Sequence, residues 1–529
     1  MKRWDLPVIE SMLQSSPYVV TLVIDIISGH IESDTELEKK KKGQIDRIST
    51  LPDSILLRIL SFLPTKDAVE TGVLSKRWAY LWTSVPYLLF DFNHFECTDD
   101  FASAVDHTLL LHRASKLTNF SVRFKYKKDL KPRVDLWVRF ATAAKVDQLS
   151  LDFSPPCYID LDGYQLPQHL YANEFISELN LSYCKIFPNG LLHWSSLKHL
   201  CIGQSPLHED VIRKVLMGSP RLESLELHDC WEFNRLDIVS ESLKKLVIDG
   251  YLMGMSKRYA PVLELEIVAP KIHSLEILGN FYYTTCRIKD VSALVEVKLD
   301  FDMRRRYHSE EDNYIKEVYG YKEYRGIVRD ILQSVHHVKK LTVGNWCLMV
   351  VSLIIAKHPP SLQKKCICTT ETNMENWNLL TKCQCLTMET NMENWNLPGI
   401  AFLLQSSPYL ETLNFHIPPF CRIGTEYLRW SYHAGNHWEL KDTYFKFLLL
   451  CLKSVKIQSY GGLMGKKELN FVVQFLLKNA KVLEKMVITP PRAWQNPTHD
   501  MLRGSLQMAQ KLLSFPRSSP HAVVIFSYL

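Results

Sequence analysis

Four cysteines are the first residues whose spacing could do chemistry. Cys366, Cys368, Cys383 and Cys385 form two C-x-C pairs, and four thiolates can hold zinc tetrahedrally. Structural zinc sites, however, usually place two residues or more between paired thiolates. Each pair also stands just upstream of one copy of a duplicated segment, so duplication alone explains its recurrence. No metal is assigned. His336 and His337 are adjacent; neighbouring side chains on one element point apart, so they read as strand-edge residues rather than ligands or a general base. Arg304, Arg305 and Arg306 read as a solvated run, and Trp137, Trp194, Trp231 and Trp346 as core rather than a ligand cage. The sequence has no phosphate loop, nucleophile elbow or H-E-x-x-H helix. No catalytic residue and no cofactor is assigned, which leaves binding as the expected work of the chain.

Composition bounds that work. The 529 residues are 46% hydrophobic, as in a folded globular protein, and the formal charge of +6 is small for the length. Nucleic-acid binders usually concentrate basic residues on one face, and no such stripe is visible. No segment reaches the roughly 18 apolar residues of a membrane span, and the first residues lack the order of a secretory signal. The chain therefore reads as a protein of the nucleus, the cytoplasm or both, with its 13 cysteines as reduced thiols rather than a disulfide framework. Lys39–Lys42 read as a linker, because Glu36 and Glu38 precede them.

The elements that would do the binding start at Asp46. In DRISTLPDSILLRILSFLPTKDAVETGVLSKRWAYLWTSVPYLLFD, Leu51 and Pro52 open a helix whose Ile55, Leu56, Ile59, Leu60 and Leu63 share one stripe. Pro64 stops it, and Thr65 is the expected N-cap of a second helix, Lys66–Thr71. A third runs through Leu74, Trp78, Leu81 and Trp82. About forty residues cannot bury so much apolar surface alone. The segment resembles a plant F-box through its LPDSILLRILSFLPTKDAV and LSKRWAYLW runs. That resemblance implies docking on a Skp-type adaptor and, through it, on cullin–RING. The expected anchors are Leu51, Pro52, Ile55, Leu56, Leu60, Leu74, Trp78 and Trp82, some of which must also serve the core of the F-box.

Behind this unit a template recurs: apolar, two others, apolar, one other, apolar. It runs from Val146-Leu149-Leu151 through Leu243-Leu246-Ile248 and Leu410-Leu413-Phe415 to Leu483-Met486-Ile488. Its last two apolar positions lie two apart, the period of a strand with one buried face. Early copies recur about every 20–30 residues, the spacing of leucine-rich repeats. Cys184, Cys230 and Asn280 stand three residues beyond the last apolar position, where a side chain should turn inward and bond the backbone of the turn. The charged, Tyr-rich stretch 304–323 reads as a loop or insertion. The runs CLKSVKIQSYGG, FVVQFLLKNAKVLEKMVI and MAQKLLSFPRSSPHAVVIF resemble the FBD region of plant F-box proteins. Their alternation of strand and helix should extend the repeats and cover the open edge.

Two duplications stand outside this pattern. ETNMENWNL occurs at 371–379 and again at 389–397, and WDLPVIESMLQSSPYVVTL near the start copies WNLPGIAFLLQSSPYLETL at 395–413. A single repeat cannot bury its own face, so the first copy is expected to dock weakly or stay unfolded.

The expected fold is α/β: a small three-helix F-box, an irregular leucine-rich-repeat solenoid with a parallel sheet, and a C-terminal α/β FBD region. The expected divisions are an extension at 1–45, with a repeat-like fragment at 4–27, the F-box at 46–92, the solenoid at 93–380 and the FBD region at 381–529. The resemblance implies a non-catalytic substrate-recognition subunit of an SCF-type (Skp–cullin–F-box) ubiquitin ligase, with the repeats holding a target protein that the sequence does not name. A non-ligase F-box scaffold and a weak nucleic-acid-binding repeat protein stand as alternatives.

Overall fold

The computed structural model describes residues 51–73, 76–154, 163–251, 263–281, 284–303, 324, 326–355, 380–418, 445, 447–459, 467–489, 506, 507 and 509–526. The N-terminal extension, Leu74, the 304–323 stretch, Cys366, Cys368 and the first ETNMENWNL copy lie outside them. The chain divides into two compact units, Met1–Ser205 with Gly218–Leu222, and Pro206–Met217 with Glu223–Leu529.

The first unit begins with the helices Asp53–Leu60, Thr65–Glu70 and Trp78–Leu81. Pro52 and Pro64 occupy the N-cap positions of the first two. The expectation that Thr65 caps the second helix is corrected. Thr65 is its first residue and is buried, and its hydroxyl accepts the Leu89 backbone N–H at 2.6 Å. That bond fastens the helical unit to the first strand, Tyr87–Asp91. Further ties follow: the Arg113 N–H donates to the Thr83 carbonyl at 2.7 Å, and His112 Nε2 donates to the Val85 carbonyl at 2.9 Å.

From Tyr87 onward the first unit is a parallel sheet. Tyr87–Asp91, Asn119–Arg123, Gln148–Asp152, Glu178–Ser182 and His199–Gly203 pair in chain order. The register aligns Leu88, Phe120, Leu149, Leu179 and Leu200 as one inward row, and all five are buried. Strict alternation fixes this register, since a slip of one residue would turn every one of them to solvent.

The second unit repeats the scheme. Among the described residues, ten parallel strands run in chain order from Ser224–Cys230 to Val523–Phe526. Every apolar triplet cited above is buried. A further copy, Cys383-Leu386-Met388, is buried too; its Cys and Met hide it from a reading keyed to branched aliphatics. A smaller parallel sheet, Arg235–Asp237, Leu263–Val268 and Thr284–Lys289, adds a second layer.

The turn after each strand is where expectation and structure divide. Cys184 and Cys230 are buried, and their thiols donate to the Ser182 and His228 carbonyls at 3.5 and 3.6 Å. Asn280 is exposed, and Phe281 takes the inward place. The preceding Gly279 has φ of 75°, and the pairing shifts by one residue at this point. That left-handed conformation is glycine's, and it rotates the next side chain outward. Ser205 fills the same inward role unannounced: its hydroxyl donates to the Gly203 carbonyl at 2.7 Å and accepts the Cys184 N–H at 3.1 Å.

Two more expectations change. His336 and His337 sit in the turn before Lys340–Val343, not on a strand edge. They bond the carbonyls of Gln333 and Val291 at 2.8 and 3.0 Å. The C-terminal residues, expected to cover the open edge, supply the strands Ser454–Ser459, Lys485–Thr489 and Val523–Phe526 and the helix Lys467–Asn479, but among the described residues nothing pairs with the outer side of the last strand. None of the four residues of the last strand is buried.

Burial of His112 has a consequence for pH. Removal from water pushes its pKa below the ordinary imidazole value, against the opposing pull of the Val85 carbonyl. A depressed folded value means that the unfolded chain binds the proton more readily. The contribution of His112 is thus complete above the ordinary value and is lost as pH falls through the folded one. Melting curves taken across that window should show the first unit weakening on acidification, and His112→Gln should flatten the trend. An unchanged slope would place the acid sensitivity elsewhere.

Candidate functional site

The helical unit shows what each expected anchor does. Leu56, Leu60, Trp78 and Trp82 are buried together with Leu63, Ala68 and Val85. They form the unit's own core, so in this conformation they have no surface to offer another chain. Of the expected anchors, these four are the ones that serve the core: their helical stripe faces the neighbouring helices. Leu74 lies outside the described residues. Leu51 is half-buried against the core, Pro52 is exposed and Ile55 is 41% exposed.

Apolar surface nevertheless remains on the unit. Phe62, Val73 and Tyr80 are 42%, 86% and 70% exposed, and no helical period pointed to them. Phe62 lies in the turn after the first helix and Val73 in the short 3-10 segment Thr71–Val73. The loop geometry of these two, not a stripe, turns them outward. Arg77 ties two segments of the unit together. Its guanidinium donates to the Leu51 carbonyl at 2.6 Å and pairs with the Asp53 carboxylate. This clamp joins the segment before the third helix to the start of the first. The pair is solvent-exposed, so its geometry matters more than its energy.

The other candidate surface is the outward face of the strands. In the first unit it is small and polar, with Ser121, Ser150 and Asn180 aligned across three strands. Beside them Asn119 Nδ2 donates to Gln148 Oε1 at 3.0 Å, and Gln148 Nε2 donates to Glu178 Oε2 at 3.1 Å. In the second unit the outward rows carry charge. Lys245 lies 2.9 Å from Glu276 and 3.9 Å from Glu226, and Lys298 lies 2.9 Å from Glu389. Burial works against both charges of the Lys298–Glu389 pair, yet their mutual attraction leaves the lysine above and the carboxyl below its ordinary range. His416, beside Glu389, is pushed below its ordinary value by burial.

Cys383 and the four tryptophans singled out in the sequence have structural places. Cys383 is buried as the first apolar position of its repeat, burial pushes its thiol up to about 12, and it donates to the Cys385 carbonyl at 3.4 Å. A zinc ligand would have to be the thiolate, which this position disfavours. Trp137, Trp194, Trp231 and Trp346 are all buried, as expected. Trp137 Nε1 donates to Asp106 Oδ1 at 2.6 Å, and Trp194 Nε1 to the Leu170 carbonyl at 2.8 Å. Among the described residues, no helix is long and apolar enough to cross a membrane.

A helical head with apolar side chains left outward, followed by parallel strand–turn repeats, defines a class of two-part repeat proteins. Comparison with known proteins gives the family. The F-box domain matches residues 48–90. The LRR repeats of FBD-associated F-box protein At5g56370 match 134–291, and the FBD matches 445–488. F-box/LRR-repeat protein At5g02910 of Arabidopsis thaliana is 31% identical over 460 residues, which cover 84% of this chain and 88% of that protein. F-box/LRR-repeat protein At3g03360, from the same plant, is 30% identical over 385 residues, 70% of each chain. F-box protein At5g03100, also of Arabidopsis thaliana, is 30% identical over 318 residues, 60% of this chain and 94% of that one. The chain belongs to the F-box/LRR-repeat family, with an FBD toward its C-terminus, and the family supports a substrate-recognition role.

Proposed function

We propose that this protein is the substrate-recognition subunit of an SCF-type ubiquitin ligase in the nucleus, the cytoplasm or both. The F-box holds a Skp-type adaptor and thereby cullin–RING, and the repeats hold a target protein. The chain makes and breaks no bonds itself. It raises the effective concentration of a target lysine near the loaded conjugating enzyme.

The observation that carries this reading is the division of labour inside residues 48–90. One set of apolar side chains closes a core, while Pro52, Ile55, Phe62, Val73 and Tyr80 remain outward. Exposed apolar residues are ordinary when scattered and mark an interaction surface when they cluster; the match of 48–90 to the F-box domain supports reading these as a surface for a partner. Helix-in-groove docking uses a few such anchors. Pro52→Ala combined with Ile55→Ala should leave the melting temperature unchanged and weaken adaptor binding by about 2 kcal/mol, roughly thirtyfold. A titration showing wild-type affinity would sink the assignment of this edge. Capture of cullin by the intact chain, lost when 46–92 is deleted, separates a ligase subunit from an F-box scaffold working elsewhere.

A further inference from the structure

The two ends of the strand arrays are finished differently. In the first unit, Leu88 and Phe90 of the first strand are buried and Thr65 occupies the Leu89 N–H. In the second unit, the last strand pairs Val524 with Met486 and Phe526 with Ile488. Met486 and Ile488 are buried, but Val524 and Phe526, on the same inward rows, are only half-buried. Val523 of the same strand is 54% exposed, and Leu506 and Leu513, earlier in the sequence, are 59% and 45% exposed. Among the described residues no further strand pairs with Val523–Phe526. A repeat array ordinarily ends in a polar cap, and an apolar open edge invites another strand.

The sequence holds a strand of the right pattern. Residues 4–22 copy 395–413, and the apolar alternation of the copy continues through Ile26. Leu22, Ile24 and Ile26 stand where Leu413, Phe415 and Ile417 stand in the parent repeat, and those three are buried. Val23 replaces the outward Asn414. An apolar residue suits the outward row of the open edge, where Val487 aligns with Ile525.

The copy is also barred from its parent's place. In the helix Leu397–Gln405, Gly399 lies so close to the helix Asn345–Ile355 that a Cβ there would fall 2.4 Å from the Leu348 carbonyl oxygen. The copy has Val8 at that position, and Glu10 where Ala401 is buried. It therefore cannot exchange with the repeat it resembles.

We propose that the open edge at Val523–Phe526 is a docking surface for residues 4–27 of a second copy of this chain. The segment adds a helix and a parallel strand, with Leu22 beside Val524 and Ile24 beside Phe526. The contact is head-to-tail, so each pair keeps one free segment and one free edge.

Sedimentation of the full-length chain tests this with two variants, Leu22→Asp in the segment and Ile525→Lys at the edge. The native mass should rise with concentration, while each variant alone stays monomeric. Mixing the variants should give a dimer and nothing larger, because only one intact edge and one intact segment remain. Amide exchange at Val524–Phe526 should slow with concentration in the native chain and not in Leu22→Asp, a change outside the strand being read. A native chain that stays monomeric, association that survives Leu22→Asp, or variants that fail to pair when mixed would each overturn the proposal. Adaptor capture should be unaffected in both variants, so failure here is distinct from failure of the ligase reading.

Discussion

Trp78→Ala should unfold the F-box and abolish adaptor capture together. Trp78 is buried among Leu56, Leu60 and Trp82, in a core drawn from about thirty residues. Truncating a buried tryptophan costs about 3–5 kcal/mol, a large share of the roughly 5–15 kcal/mol that holds a domain folded. A unit this small has no second cluster to fall back on. The expected signature is a lowered melting transition with binding lost in proportion, recoverable at low temperature if the core re-forms. Pro52→Ala with Ile55→Ala should show the opposite pattern, binding lost and melting kept. Were Trp78→Ala to keep its melting temperature while losing the adaptor, Trp78 would be a contact rather than a core residue. The packing of the three helices described above would then be wrong.

That contrast marks how far the sequence could be read. The order of Leu, Pro and Trp between Leu51 and Trp82 identified the unit, because its spacing encodes helices and their apolar faces. The same stripe could not say which side chains close the core and which are left over. Helical periodicity gives a direction for each residue but not the identity of what covers it. Phe62 and Val73 were invisible for a related reason: both lie outside regular α-helix, where no period applies.

The repeats were legible where alternation was clean. Every branched-aliphatic triplet became a buried row, since a register slip would expose it. The losses fell on substitutions of chemistry and of backbone. Cys383-Leu386-Met388 is a full repeat, yet the Cys383 thiol suggested a metal before it suggested a core. Asn280 was displaced by Gly279, whose positive φ shifts the inward place to Phe281. A count of residues from the last leucine has no term for a bulge. The outward faces were the least legible. Lys298 and Glu389 lie ninety-one positions apart by number, and only the pairing of their strands through Lys340–Val343 brings them to 2.9 Å.

Gly399→Val should be among the costly changes in the second unit. The Gly399 N–H donates to Ser352 Oγ at 2.8 Å, and that hydroxyl donates in turn to the Leu348 carbonyl at 3.0 Å. A Cβ at 399 would meet the Leu348 oxygen at 2.4 Å and Ser352 Oγ at 2.8 Å. The first of these is backbone and cannot rotate away, so the two helices must part. Overpacking costs about 1–3 kcal/mol, and disrupting the serine bridge about 1 kcal/mol more. Both helices are apolar on most faces, and separating them wets residues such as Leu348 and Ile400 that are otherwise buried. Denaturant unfolding should show a lower midpoint for Gly399→Val and a smaller drop for Ser352→Ala, which loses the bridge without adding bulk. If the two variants matched, the hydroxyl rather than the close approach would be what sets the helix spacing. The valine is also the residue that the amino-terminal copy carries at the corresponding position, Val8. A stable Gly399→Val chain would therefore remove the steric reason for keeping that copy out of the array.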